Sequence, residues 1–176
     1  MASRWVLSKL PFQQSNDNIV LEIERKYLVC RDDYLREASH QHHIRQGYLT
    51  ADGRVTVRVR IIDDEARLTI KGGSTADGLI RSEWEYPLPV ADAEEMLSQC
   101  ASSSLEKVRY YVPFAGFVWE VDRFGGRLEG LVIAEVELTS PTDRPALPSW
   151  LGREVTGDPR YYNAMLAQEL APPPTT

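Results

Sequence analysis

Charged and apolar residues alternate in the stretch LEIERKYLV, residues 21–29. Glu22, Glu24 and Lys26 occupy every second position, and Ile23 and Tyr27 stand between or beside them. Because neighbouring side chains of a β-strand point to opposite faces, this spacing predicts one face with two acids and a base and one mostly apolar face. Such a polar face is either solvated or lines a site that holds ions.

The same alternation recurs along most of the chain, with acids and bases each grouped two positions apart. Like charges at this spacing share a strand face about 7 Å apart, and they repel unless counter-ions lie between them. A polyanion with divalent metal ions is the simplest ligand that balances both kinds of charge. The acidic pairs are Glu22 with Glu24, Glu83 with Glu85, Glu120 with Asp122 and Glu135 with Glu137; the basic pairs are Arg58 with Arg60 and Lys107 with Arg109.

Short period-2 segments separated by turns predict a mainly β protein. We expect a short helix from about Asp32 and helices over 90–100 and 161–170. In a sandwich the charged faces would be solvated, whereas in a closed barrel they would point inward and helices would cover the apolar outside. Alternation alone permits both. The predicted strands are residues 19–29, 44–50, 54–62, 66–72, 81–88, 105–114, 117–124 and 131–138.

Length and composition fit a single globular domain: 176 residues, 43% hydrophobic, with a net charge of −6. The acidic balance argues against non-specific nucleic-acid binding, and the absence of a long apolar run argues against a membrane span. Cys30 and Cys100 have neither metal-ligand nor disulfide-framework spacing, which predicts a reduced, cytoplasmic protein. The predicted boundaries are a flexible extension over 1–18, a domain over 19–170 and a flexible tail over 171–176.

The segment EIERKYLV resembles the E-x-E-x-K signature of the CYTH domain family, also called triphosphate tunnel metalloenzymes. The segments QGYL, VRVR, LTIKG, EWEYPL, KVRYYV, WEVDRF, AEVEL and EVTGDPRYYNAMLA follow in the order and spacing of its short bacterial members. The resemblance covers about residues 19–170. It implies a closed eight-stranded antiparallel β-barrel with a few flanking helices, in which inward charges form a tunnel.

The resemblance also implies divalent-metal-dependent hydrolysis of inorganic triphosphate to pyrophosphate and phosphate by direct attack of water. Mg²⁺ or Mn²⁺ would be the cofactor, since both prefer carboxylate oxygens. The candidate catalytic residues are Glu22, Glu24, Lys26, Glu85 and Asp122. The wall acids Glu83, Glu85, Glu120 and Asp122 would hold a second metal, orient water or neutralise the bases. The implied metal ligands are Glu22, Glu24, Glu135 and Glu137, with Glu120 and Asp122 as further candidates. The implied phosphate-binding residues are Lys26, Arg58, Arg60, Lys71, Arg81, Lys107 and Arg109.

Alternative functions stay open at this point: hydrolysis of thiamine or nucleoside triphosphates, adenylate cyclase activity, a non-catalytic polyphosphate or nucleotide sensor, and an all-β interaction module. We expect a small-molecule triphosphate as partner, no nucleic acid or membrane, and a monomer or homodimer. Tyr48 is predicted to pack in the core, with substrate shaping as the alternative. Tyr161, Tyr162 and Asn163 are predicted to pack and cap a helix, and the resemblance implies as the alternative that this helix plugs or flanks one end of the tunnel. The histidines His40, His42 and His43 are predicted to form a solvated patch in a loop or helix end.

Overall fold

The computed structural model describes residues 20–51, 55–74, 80–99 and 103–175, and for residues 20–22, 51, 74, 80 and 81 it describes the backbone alone. The predicted flexible extension over 1–18 lies outside these residues. In the described part of the chain, no helix has the length and apolar character needed to cross a membrane.

The strands are β1 (Val20–Val29), β2 (His40–Ala51), β3 (Thr56–Ile62), β4 (Glu65–Ser74), β5 (Ile80–Leu88), β6 (Ser104–Phe114), β7 (Phe117–Phe124), β8 (Val132–Glu137) and β9 (Leu151–Glu154). The helices are α1 (Tyr34–Glu37), α2 (Val90–Gln99) and α3 (Asn163–Leu166), with 3-10 turns over Gly126–Leu128 and Pro159–Tyr161.

Antiparallel pairing runs through all nine strands in the order β5-β4-β3-β2-β6-β7-β8-β1-β9. β1 closes the first eight of these strands into a barrel, because it pairs with β8 through residues 24–28 and with β5 through residues 20–23. β9 pairs with the end of β1 beyond β5. The predicted eight-stranded antiparallel barrel is therefore confirmed, with one short strand added.

Apolar strand faces point outward and are covered by helices and loops. One cluster packs Tyr27, Trp119 and Val136 against Tyr34 of α1 and against Trp150. A second packs Val59 and Ile61 against α2, whose Ala93, Met96 and Leu97 recur at helical spacing. Full burial of one of these larger side chains stabilises the folded state by about 1.5–3 kcal/mol. The hydrophobic effect therefore holds the helices and loops against the barrel. The barrel interpretation is right, and the sandwich interpretation is wrong.

A third cluster closes one end of the barrel from within. Leu28, Phe124 and Ile133 are two positions along their strands from Lys26, Asp122 and Glu135, so they share the inner face with those charges. Tyr161 and Leu166, from the C-terminal segment, pack against these three apolar residues and are fully buried. Apolar packing thus seals this end of the tunnel.

Three local predictions were wrong. His40, His42 and His43 lie in β2 rather than in a loop or helix end. The chain adds β9 after the Pro-rich segment, where the strand series was expected to end. The helix expected over 161–170 is a 3-10 turn followed by the four-residue α3. In each case tertiary pairing or packing overrode a weak local pattern.

Candidate active site

The inner wall of the barrel pairs bases with acids across neighbouring strands. Lys26 lies opposite Glu135, Arg109 opposite Asp122 and Lys71 opposite Glu83. Directly opposed residues share a sheet face, so this register brings the predicted site residues of seven strands into one interior. The backbones of Glu22 and Arg81 pair with each other on β1 and β5, but their side chains lie outside the described residues. The inner-face residues with described side chains are Glu24, Lys26, Arg58, Arg60, Lys71, Glu83, Glu85, Lys107, Arg109, Glu120, Asp122, Glu135 and Glu137.

Arg109 joins three carboxylates from two strands. Its Nε and Nη2 donate to the two oxygens of Asp122 at 2.6 and 2.7 Å, and Nη2 also donates to Glu135 at 3.0 Å. Its Nη1 donates to Glu120. All three guanidinium nitrogens therefore donate to carboxylates, and Arg109 connects the acids of β7 with Glu135 of β8.

The two lysines near this hub differ in their surroundings. Lys26 Nζ lies 2.5 Å from Glu135 and 3.6 Å from Glu24. Burial alone would lower the pKa of Lys26, but these two carboxylates raise it above its usual range. Lys107 has a fully buried side chain that contacts Asp122. Burial lowers the pKa of Lys107 to about 7, although Asp122 opposes the change.

Arg58 and Arg60 have guanidinium donors with no partner in the described part of the chain. Arg58 Nη2 donates to Thr69 at 3.2 Å and lies 3.9 Å from Glu83, while its buried Nε makes no hydrogen bond. The buried Nε of Arg60 makes none either. Burial, together with Arg58 and Arg109, lowers the pKa of Arg60 to about 10, which leaves it charged at neutral pH. Buried donors of this kind call for an acceptor, and adjacent positive charges favour an anionic one.

The carboxylates fall into two groups. Burial would raise the pKa values of Asp122 and Glu135, but neighbouring bases hold both below their usual range: Arg109 and Lys107 act on Asp122, and Lys26 and Arg109 on Glu135. Burial raises the pKa of Glu120. Glu24 and Glu137, by contrast, lie opposite each other on β1 and β8 with like charges. A cation bound between Glu24 and Glu137 would relieve the repulsion of this second group.

Among the described residues, no group of three Asp, Glu, His or Cys side chains is placed to hold a metal ion. Glu24 and Glu137 nonetheless suit Mg²⁺ or Mn²⁺, because their donors are carboxylate oxygens. Glu22 stands two positions before Glu24 on β1. Asp122, Glu120 and Glu135 fit a metal less well in this state, since Arg109 holds all three.

Three residues at the site were missed or assigned to packing from sequence. Thr69 accepts from Arg58 and donates to Glu85 at 3.0 Å, and its position between Arg67 and Lys71 on one strand face was an available signal. Asn163 accepts from Lys107 at 3.2 Å, although its segment was assigned to packing. Tyr48 does pack in the end cluster as predicted, but it also lies opposite Arg58 on the inner face.

The predicted solvated patch of histidines holds only in part, because His40 and His43 are exposed whereas His42 is buried. His42 is buried and its Nδ1 contacts Asp63 in the turn between β3 and β4. His40 stacks flat on Tyr111, with ring centroids 4.4 Å apart. Tyr111 lies opposite Glu120, so this aromatic stack continues the inner face of β6.

A closed barrel with this inner wall of paired acids and bases defines a charged-tunnel protein. The chain belongs to the CYTH domain family, whose model matches residues 21–162. It is 48% identical over 148 residues to an inorganic triphosphatase of Acetivibrio thermocellus, a match covering 84% of this chain and 93% of that protein. It is 36% identical over 153 residues to an inorganic triphosphatase of Nitrosomonas europaea, a match covering 85% of this chain and 98% of that protein. The crystal structure of the inorganic triphosphatase NE1496 superposes with a TM-score of 0.64 at 33% identity, covering 87% of this chain and 98% of that one.

Proposed function

We propose that this protein hydrolyses inorganic triphosphate to pyrophosphate and phosphate inside its tunnel, with Mg²⁺ or Mn²⁺ as cofactor. The observation that carries the proposal is the pair Arg58 and Arg60, whose buried Nε atoms lack partners among the described residues. The two relatives and the crystal structure described above, all inorganic triphosphatases, support the same reaction. A cytoplasmic location follows only from the cysteine content and stays a prediction.

Binding of the substrate would begin at Arg58 and Arg60, because their Nε donors have no partner among the described residues. A triphosphate carries several negative charges, and Arg favours bidentate contact with phosphate oxygens. Lys71, on the neighbouring strand β4, adds a further base 3.7 Å from Glu83. Lys26, Lys107 and Arg109 would contact phosphate only after partly releasing their carboxylates, which makes them suited to charge that develops during transfer.

The acidic residues would position the attacking water and the cation. A divalent ion held by Glu24, Glu137 and Glu22 would neutralise phosphate charge and polarise the terminal phosphoryl group. Glu85 is a candidate to orient water, because Arg60 and Thr69 keep its pKa below the usual range against the effect of burial, so that it is ionised at neutral pH. Attack by water in line with the leaving pyrophosphate needs no protein nucleophile.

The test is phosphate release from tripolyphosphate, ATP and thiamine triphosphate, each with Mg²⁺, Mn²⁺ or EDTA. We expect metal-dependent turnover of tripolyphosphate that is lost in Arg58→Ala and kept in Arg123→Ala, an exposed arginine on β7. Turnover of an organic triphosphate in preference to tripolyphosphate would overturn the choice of substrate. Tight tripolyphosphate binding without turnover under any metal condition would instead indicate a sensor.

One observation favours nucleoside triphosphates as a second substrate class. His40 is exposed, and its ring extends the stack that starts at Tyr111 on the inner face. A planar base can continue such a stack, since aromatic rings gain from offset stacking. If ATP is a substrate, His40→Ala should lower kcat/KM for ATP and leave that for tripolyphosphate unchanged; equal changes for both would exclude this role.

A further inference from the structure

The end of the tunnel that the C-terminal segment seals also contains a polar contact with the site. Asn163 is the first residue of α3, and its Oδ1 accepts a hydrogen bond from Lys107 Nζ at 3.2 Å. Lys107 lies on β6, on the inner face, 56 residues away in sequence. The segment that closes the barrel therefore reaches a base of the charged wall directly.

Lys107 is held from three directions. Its Nζ contacts Asp122, donates a hydrogen bond to Asn163 Oδ1, and lies 5.5 Å from the centre of the Phe124 ring. An ammonium group has three donors, so one N–H is left after Asp122 and Asn163. Asn163 is a neutral acceptor, and Arg109 shares the charge of Asp122. Burial lowers the pKa of Lys107 to about 7, so an incoming phosphate group would favour the protonated amine that donates to it.

We infer that Asn163 is a positioning residue, which orients the third N–H of Lys107 toward a phosphate group of the substrate. This inference rests on the proposed function, because it needs an anionic substrate in the tunnel. The packing of Tyr161 and Leu166 in the end cluster fixes the start of α3, and with it the side chain of Asn163. The same C-terminal segment therefore closes the tunnel end and aligns Lys107.

A double-mutant cycle tests the inference through binding rather than turnover. The variants are Asn163→Ala, Lys107→Gln and the pair together, and the measurement is the Kd of tripolyphosphate in EDTA by calorimetry. We expect Asn163→Ala to weaken binding about tenfold, the loss typical of one hydrogen bond that sets a charged group. In the Lys107→Gln background the same change should have no effect, because residues that act through one another are not additive.

Two further variants separate positioning from a purely structural role. Asn163→Asp keeps the shape and the contact with Lys107 but adds a charge, so we expect an equal or higher Tm with weaker binding than wild type. Gln168→Ala removes an exposed side chain that bonds only to the Ala164 carbonyl in the described structure, and it should change neither quantity. Unfolding curves for every variant verify that the fold is kept.

The outcomes distinguish the two proposals. If wild-type protein binds tripolyphosphate and the effects of Asn163→Ala and Lys107→Gln add, the positioning role of Asn163 is wrong while the proposed function stands. Wild-type binding by Asn163→Asp would lead to the same conclusion. If wild-type protein does not bind tripolyphosphate at all, both the proposed function and the inference fail.

Discussion

Glu24 of β1 and Glu137 of β8 lie directly opposite each other on the inner wall of the barrel. Like charges in this position destabilise a sheet by about 0.2–1 kcal/mol relative to neutral residues. Lys26 lies 3.6 Å from Glu24, but Glu135 holds the same amine more closely. Two carboxylates that face each other in this way are suited to share a bound cation.

Neutralising one member of this pair should affect stability mainly when metal is present. In EDTA, Glu137→Gln should change the Tm little. With Mn²⁺, wild type should gain stability by mass action while the variant gains little, and its tripolyphosphate turnover should fall. Thermal unfolding with and without Mn²⁺ checks this, with the exposed Glu129→Gln as control. An equal Mn²⁺ shift in wild type and Glu137→Gln would exclude a metal role for Glu137.

Arg109 and Arg58 should differ in what they contribute. Arg109→Ala leaves the buried Asp122 and Glu135 and the partly buried Glu120 without their common partner, so the free energy of unfolding should fall by about 3–5 kcal/mol. Arg58→Ala removes one of two neighbouring like charges, so stability should change little while tripolyphosphate binding is lost. Urea unfolding and calorimetric binding measure the two effects, with Arg123→Ala as the exposed control. A similar stability loss for both variants would contradict the distinction.

Asp63 should make stability depend on acid pH. Burial opposes the effect, but hydrogen bonds from His42 and the His43 N–H hold the pKa of Asp63 below its usual range. A depressed carboxyl pKa contributes stability above the unfolded-state pKa of about 4, and that contribution is lost as pH falls through the folded-state pKa.

Asp63→Asn should therefore lower the Tm at pH 7 and converge with wild type in strong acid. Asn tolerates the positive φ of 49° at this position, so the backbone is not the cause of the change. Asp64→Asn, at the neighbouring exposed residue, is the matched control. The Tm series runs from about pH 2 to about pH 8, which spans the usual carboxyl pKa of about 4. A constant difference between Asp63→Asn and wild type over the whole series would show that charge is not involved.

Trp150 should carry much of the stability of the outer packing. It is fully buried, lies edge-on to Trp119 at 6.1 Å and to Tyr34 at 6.0 Å, and donates from Nε1 to Glu37 at 2.9 Å. Trp150→Ala should lower the free energy of unfolding by about 3–5 kcal/mol, and Trp150→Phe by less. Because these contacts lie outside the barrel, kcat/KM should stay near wild type below the Tm; a large drop for Trp150→Phe would indicate coupling to the tunnel.

Much of the inner wall was readable from the sequence, because a strand's period of two places Glu24 and Lys26, or Arg58 and Arg60, on a common face without further information. The same alternation did not decide which face points inward, since a sandwich and a barrel have the same pattern. The resemblance to a known family made that choice, and the closing pairs of β1 with β5 and β8 confirm it. The strand at Leu151–Glu154 was missed because four residues carry too weak a pattern.

The sequence by itself determined which charges share a face, because that depends only on local backbone geometry. Only the tertiary structure decided how those charges divide: Arg109 is held by three acids, whereas Arg58 and Arg60 keep donors for a ligand. It also placed Asn163 beside Lys107. Such pairings depend on which strands become neighbours and on where the chain returns to seal the barrel. Those are long-range contacts, and no local pattern encodes them.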